Sequence, residues 1–95
     1  MSLKKLQEDV REHDRRLGWV NDLPHQTLLH IVEELGEVSR ELLKCGDYKP
    51  QQGSRQRMSE EIVDLLYLNL KLANLLGLDL DKTWEDIGER YAEKI

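Results

Sequence analysis

Apolar positions along this chain recur at intervals of three and four, the signature of helices with one buried side. Leu3, Leu6, Val10 and Leu17 form a first stripe, with Ser2 placed as N-cap and Gly18 as terminator. Asp22 and Pro24 mark the start of a second helix. It is expected to run to about Lys44 with Leu28, Ile31, Leu35, Val38 and Leu42 on its apolar face, and Gly46 closes it. The segment "GDYKPQQGSRQR" is polar and contains Pro50 and Gly53, so a mobile loop is expected over about 46–57. Ser59 then caps a third helix, with Met58 and Val63 as a hydrophobic staple, and Gly77 ends it. Asp79 caps a fourth, with the stripe Leu80, Trp84, Ile87, Tyr91 and Ile95.

No segment alternates with period two, so no sheet is expected. The third helix is the most apolar and is expected to be the most buried, with the others packed around it. The reading is an all-α, four-helix bundle forming a single domain over 1–95. A chain of 95 residues buries only a modest core, which favours completion of the bundle by oligomerisation.

Composition narrows the partners. Apolar residues make up 39% and charged residues 35%, with a net charge of -5, which speaks against a nucleic-acid polymer held by phosphate contacts. No apolar run approaches a membrane span and the N-terminus lacks a signal-peptide core, so no membrane partner is expected. Cys45 is the only cysteine, which fits a reducing cytoplasm, and is expected to be half-buried near a helix end.

Two acidic groups stand out. In "IVEELGEVSRELL", taking Glu33 as zero, Glu37, Glu41 and Glu34 fall at roughly 40°, 80° and 100° around the helix, with His30 among them at roughly 60°. The apolar face begins at Val38, near 140°, so Glu34 stands on its edge. No lysine follows Glu33, Glu34 or Glu37 at four residues to form a helical ion pair; Arg40 and Lys44 follow Glu37 and Glu41 at three. In "SEEIVDLLYLNLKL", Glu61 interrupts the stripe of Leu65, Leu68, Leu72 and Leu75, and Asp64 follows three residues later. The helix macrodipole accounts for Glu60, which points away from the stripe, but gives Glu61 no reason to enter it. A buried carboxylate must be paired, coordinated or protonated. Glu34 with Glu37 and Glu61 with Asp64 would converge as four acids, a repulsion that a divalent cation relieves. An all-oxygen set suits Mg²⁺ or Mn²⁺. Zinc would want histidine and cysteine, and di-iron a Glu-x-x-His that the chain lacks.

The pattern EExxE at 33–37, then 23 residues, then ExxD at 61–64 resembles the MazG-type all-α nucleoside triphosphate pyrophosphohydrolases. The resemblance runs from Trp19 to about Arg90 and includes the lead-in "GWVNDLPHQTLLHIVEELGEV". It implies a helical homodimer or homotetramer that binds Mg²⁺. It implies hydrolysis of an NTP or dNTP to monophosphate and pyrophosphate, with house-cleaning of noncanonical nucleotides as the expected role. By matched position, Glu34, Glu37, Glu61 and Asp64 ligate metal. Glu33 joins them as ligand or as base for the attacking water, and Glu60 is a lesser candidate. Trp19 sits where relatives place an aromatic near the nucleobase, or it packs over the bundle end. Asn69 reads as a buried amide that contacts substrate or ties helices. Lys71 is directed near Asp64, to bind phosphate or to pair with it. The last helix departs from the family pattern: it has no Asn, and Lys82, Arg90 and Lys94 are its basic residues. The loop bases Lys49, Arg55 and Arg57 either substitute for the phosphate contacts or simply belong to a solvated loop, and a catalytically weak nucleotide-binding or regulatory protein is the alternative reading. A plain helical interaction module is a third.

Overall fold

A computed structural model describes residues 2–44 and 52–95, the side chains of 52–54 excepted. The described residues form four helices: α1 (Leu3–Leu17), α2 (Pro24–Leu43), α3 (Gln52–Leu75) and α4 (Leu80–Ala92). No strand occurs among the described residues, and none of the helices is long and apolar enough to cross a membrane.

Local chemistry sets the boundaries. The Ser2 hydroxyl accepts from the Lys5 N–H at 3.0 Å. α1 stops at Gly18, whose φ of 76° is left-handed, and Trp19 N–H returns to the Asp14 carbonyl at 2.8 Å. Asp79 caps α4 by accepting from the Asp81 and Lys82 N–H groups. Two expected starts are corrected. α2 is capped at Leu23, not Asp22: Gln26 Oε1 reaches back to the Leu23 N–H at 3.0 Å, and Pro24 occupies the first helical position. α3 begins at Gln52 rather than at Ser59. Polar residues 52–57, expected in a loop, continue the helix, and the expected staple does not form because Met58 is buried while Val63 is exposed. The remainder of that loop, with Gly46, Lys49 and Pro50, and Cys45 before it, lies outside the described residues.

α3 is the centre of the packing, as its apolar character requires. α2 lies along one side of it and α1 along another, while α4 rests on α1. Met58, Leu68, Leu70 and Ala73 of α3 join Val10 of α1 as the buried apolar residues. Buried Gln7 locks α1 to the α3–α4 turn. Its amide donates to Asn74 Oδ1 and the Leu78 carbonyl at 3.1 and 2.8 Å, and Asn74 Nδ2 donates back to the Gln7 carbonyl. Leu3 N–H donates to Asp81 Oδ1, tying the start of α1 to α4.

Two expected core stripes are only partly covered. On α2, Ile31, Val38 and Leu42 are partly buried, but Leu28 and Leu35 are more than half exposed. On α4, Trp84 and Tyr91 are exposed. A helix buries its apolar side only against a facing element, and among the described residues α2 packs chiefly on α3 and α4 chiefly on α1.

Candidate active site

Glu34 of α2 and Glu61 and Asp64 of α3 face one another. One carboxylate oxygen from each lies within 4.8 Å of the others. The helical pattern makes this so: Glu34 borders the α2 face that packs on α3, and Glu61 interrupts the α3 leucine stripe. Glu34 Oε2 and Glu61 Oε2 are buried and accept no hydrogen bond. The Glu61 carboxyl is held above its usual range. A shared proton with Glu34 is the first cause, followed by burial and the charges of Glu34, Asp64 and Glu41. His30 Nε2 lies 3.7 Å from Glu34 Oε1, which places this histidine beside the acids. Around the rim, Glu41 is approached by Lys44 at 3.8 Å and Arg57 at 3.9 Å.

The other expected acids stand apart. Glu37, one turn after Glu34, is exposed and outside the close group. Glu33 is exposed and lines a neighbouring hollow of about 400 Å³ with Gln26 and Thr27. Glu60 is exposed and accepts from Gln56 Nε2 on its own helix at 3.2 Å.

A cleft of about 440 Å³ adjoins the acids, running between Glu34 and Asp64 and a wall of Trp19, Asp22, Tyr67 and Lys71. Its far end holds a charge network that sequence reasoning missed. Lys71, 5% exposed, bonds to Asp22 Oδ2, lies 3.7 Å from Asp14 Oδ1, and stands over the Trp19 ring at 5.4 Å. Tyr67 donates to Asp14 Oδ1 at 2.6 Å, and its hydroxyl pKa is pushed up by burial and by that aspartate. The expected direction of Lys71 toward Asp64 is thus corrected: its ammonium is held by Asp14 and Asp22. A signal was present, since Lys71 is the sole charged residue in "LLYLNLKLANLL". A lone cation in so apolar a run needs anions from another element. Asn69 is also corrected: it is exposed, and its amide donates to the Leu65 carbonyl of its own helix at 2.7 Å. Trp19 is half exposed on the cleft wall. Arg90 and Lys94 lie on or just after α4 and do not line the cleft. Lys94 stands over the Tyr91 ring instead.

These acids test the metal expectation on the structure itself. Buried carboxylate oxygens without donors are an unfavourable arrangement for a bare protein, and hard oxygen ligands within a few ångströms of each other fit a small divalent cation.

The phosphoribosyl-ATP pyrophosphohydrolase family model matches residues 3–91. The chain belongs to that family. The family lies within the MazG-like all-α superfamily, which bears out the resemblance read from EExxE and ExxD. Membership supports a pyrophosphohydrolase activity on nucleotides. Uncharacterized protein YpjD of Bacillus subtilis (strain 168) is 29% identical over 96 residues, covering 96% of this chain and 86% of its own length. No solved structure gives a significant match.

Proposed function

We propose that this pyrophosphohydrolase-family chain cleaves an NTP or dNTP between its α and β phosphates with Mg²⁺, or Mn²⁺ in its place, yielding monophosphate and pyrophosphate. The observation that carries the reading is the group Glu34, Glu61 and Asp64, with two buried carboxylate oxygens lacking any donor. These three residues hold the cation, and Glu37 completes the set by its place in the motif. When bound, such a cation offsets triphosphate charge and polarises the phosphorus under attack. Glu33 is solvent-exposed and one residue from Glu34, a position from which its carboxylate takes the proton of the attacking water. Trp19 and the cleft wall receive the nucleoside.

A specific observation supports the alternative of a weak catalyst or nucleotide-binding regulator. Lys71, the one cation lining the cleft among the described residues, is already neutralised by two carboxylates, and Arg90 and Lys94 lie elsewhere. Incubation with a panel of NTPs and dNTPs, with Mg²⁺ and with EDTA, separates the readings. Metal-dependent release of monophosphate and pyrophosphate is expected. Release of orthophosphate would refute the reaction class, and absence of turnover with retained binding would leave the regulator.

The active form is proposed to be a homodimer or homotetramer. The chain exposes 7544 Å², against roughly 5,700 Å² for a compact monomer of its mass. Its radius of gyration is 15.7 Å, where about 12 Å is usual for 95 residues. The excess surface is of the size that each partner of an obligate homodimer buries.

A further inference from the structure

The far end of the cleft, opposite the acids, assigns a preference among nucleobases, and this rests on the nucleotide reading above. We infer that Asp22 selects bases carrying an exocyclic amino group by accepting its N–H. The trio of Lys71, Asp14 and Asp22 contains one cation and two carboxylates. Asp14 is buried, accepts a hydrogen bond from Tyr67 and is ion-paired with Lys71. Lys71 is buried and turned to its two anions. Asp22 differs: its side chain is 46% exposed, it faces the cleft, and only its Oδ2 is engaged. Among the described residues its Oδ1 accepts nothing. What the trio offers a ligand is therefore a fixed acceptor, not a free ammonium. An ionised carboxylate accepts and never donates. Lys71 holds it in place, so little ordering is needed when a ligand arrives.

Trp19 stands on the same wall and supplies an aromatic face for a planar heterocycle. With phosphates directed to the acidic end, the base lies at the end where Asp22 waits. Guanine and cytosine bring an amino group whose protons point outward. Hypoxanthine keeps guanine's ring N–H and carbonyl but lacks the amino group, and uracil places a carbonyl oxygen, which repels a carboxylate, where cytosine has its amino group. GTP against ITP isolates the effect, since they differ by one amino group, while CTP against UTP exchanges an amino for a carbonyl and a ring acceptor for a ring N–H.

The test is kcat/KM for these four nucleotides with Mg²⁺, using the full chain and its Asp22→Ala and Asp22→Asn variants. Because Asp22 is half exposed, the wild-type preference for the amino-bearing member is expected at the low end for a charged hydrogen bond, about tenfold, in at least one pair. Asp22→Ala brings that ratio toward one. Asp22→Asn, whose amide can donate, turns the CTP-to-UTP ratio toward UTP. A purely structural Asp22 lowers all four nucleotides alike and leaves the ratio unmoved, which overturns the inference, as does a wild-type ratio of one in both pairs. If no nucleotide is hydrolysed, the pyrophosphohydrolase reading has failed on its own. Equilibrium dialysis of GMP against IMP and of CMP against UMP then decides the role of Asp22 by the same ratios.

Discussion

Helix α3 carries two groups of ionisable side chains about two turns apart, and the fold treats them in opposite ways. At Tyr67 and Lys71 every buried charge has met its opposite: the ammonium lies between Asp14 and Asp22, and the tyrosine hydroxyl is spent on Asp14. At Glu61 and Asp64 like meets like, with Glu34 opposite and two oxygens without donors. The first group is complete without any ligand and ties α1 and the α1–α2 connection to the central helix. The second is left unbalanced inside the same chain, and only something brought from solution completes it. Binding function is legible in that contrast: where the chain could have placed a lysine, as it did one stretch further on, it placed a third carboxylate.

The contrast is sharpest under substitution. Lys71→Met strips the paired group of its cation and leaves Asp14 buried with only Tyr67. A loss of about 3 kcal/mol is expected, the lower end for breaking a buried pair, because Asp22 can reach water. Urea denaturation measures it, and Lys71→Met combined with Asp14→Leu should recover much of the loss. A single-variant cost near zero would mean that this group holds nothing together.

Glu61→Gln is expected to do the reverse at the acidic group. Without metal, the variant should melt at a higher temperature than wild type, since a neutral amide removes repulsion and can donate to Glu34. The same change should cost more than about a hundredfold in metal-dependent hydrolysis, exceeding the usual loss from an outer-shell partner. Mg²⁺ or Mn²⁺ at 100 times its Kd should stabilise the wild type by about 2.7 kcal/mol and leave the variant nearly unmoved. Equal metal responses in the two proteins would remove the ligand assignment.

A pH titration of stability probes the same group more gently. The raised Glu61 pKa means that the folded chain holds this proton more tightly than the unfolded chain does. Its contribution is fully present below the ordinary value of 4.5 and is lost as pH rises through the folded value. Metal-free wild type should therefore lose stability as pH rises above 4.5, and Glu61→Gln should flatten that slope. Glu12 acts with the opposite sign and in a different window. Held down to about 2 by Arg15 and Arg16, it favours the fold until pH falls toward that value.

Much of this was readable from residue spacing. The helix count, the caps at Ser2, Gly18 and Asp79, the central place of α3 and the meeting of Glu34 with Glu61 and Asp64 all follow from a 3.6-residue period and a carboxylate set into a leucine stripe. Failures came where a tertiary partner overrode a local signal. Ser59 looks like a cap, yet the helix has already run since Gln52. Asp22 looks like a cap, yet Lys71, 49 residues away, claims it. Asn69 sits in an apolar run and was expected to be buried, but it is exposed on α3. Periodicity gives the direction of a side chain around its own helix. It does not say which directions a neighbouring element will cover.

The smallest effect on a single chain bears on the largest question of assembly. Leu35 lies on the α2 side that helical spacing assigns to a core, yet it is 53% exposed. If the isolated chain were the whole molecule, Leu35→Glu would be an ordinary surface change, within about 0.5 kcal/mol, with no change in mass. In a homo-oligomer the added carboxylate enters an apolar contact twice across a two-fold axis, so its cost is doubled and falls on association. Sedimentation at a series of concentrations is therefore expected to show the variant dissociating where wild type does not. It should keep its helical circular dichroism and the metal-induced rise in melting temperature, since the acids come from one chain. A wild-type chain that sediments as a monomer throughout would leave the exposed leucines of α2 without a partner and would cancel this assembly.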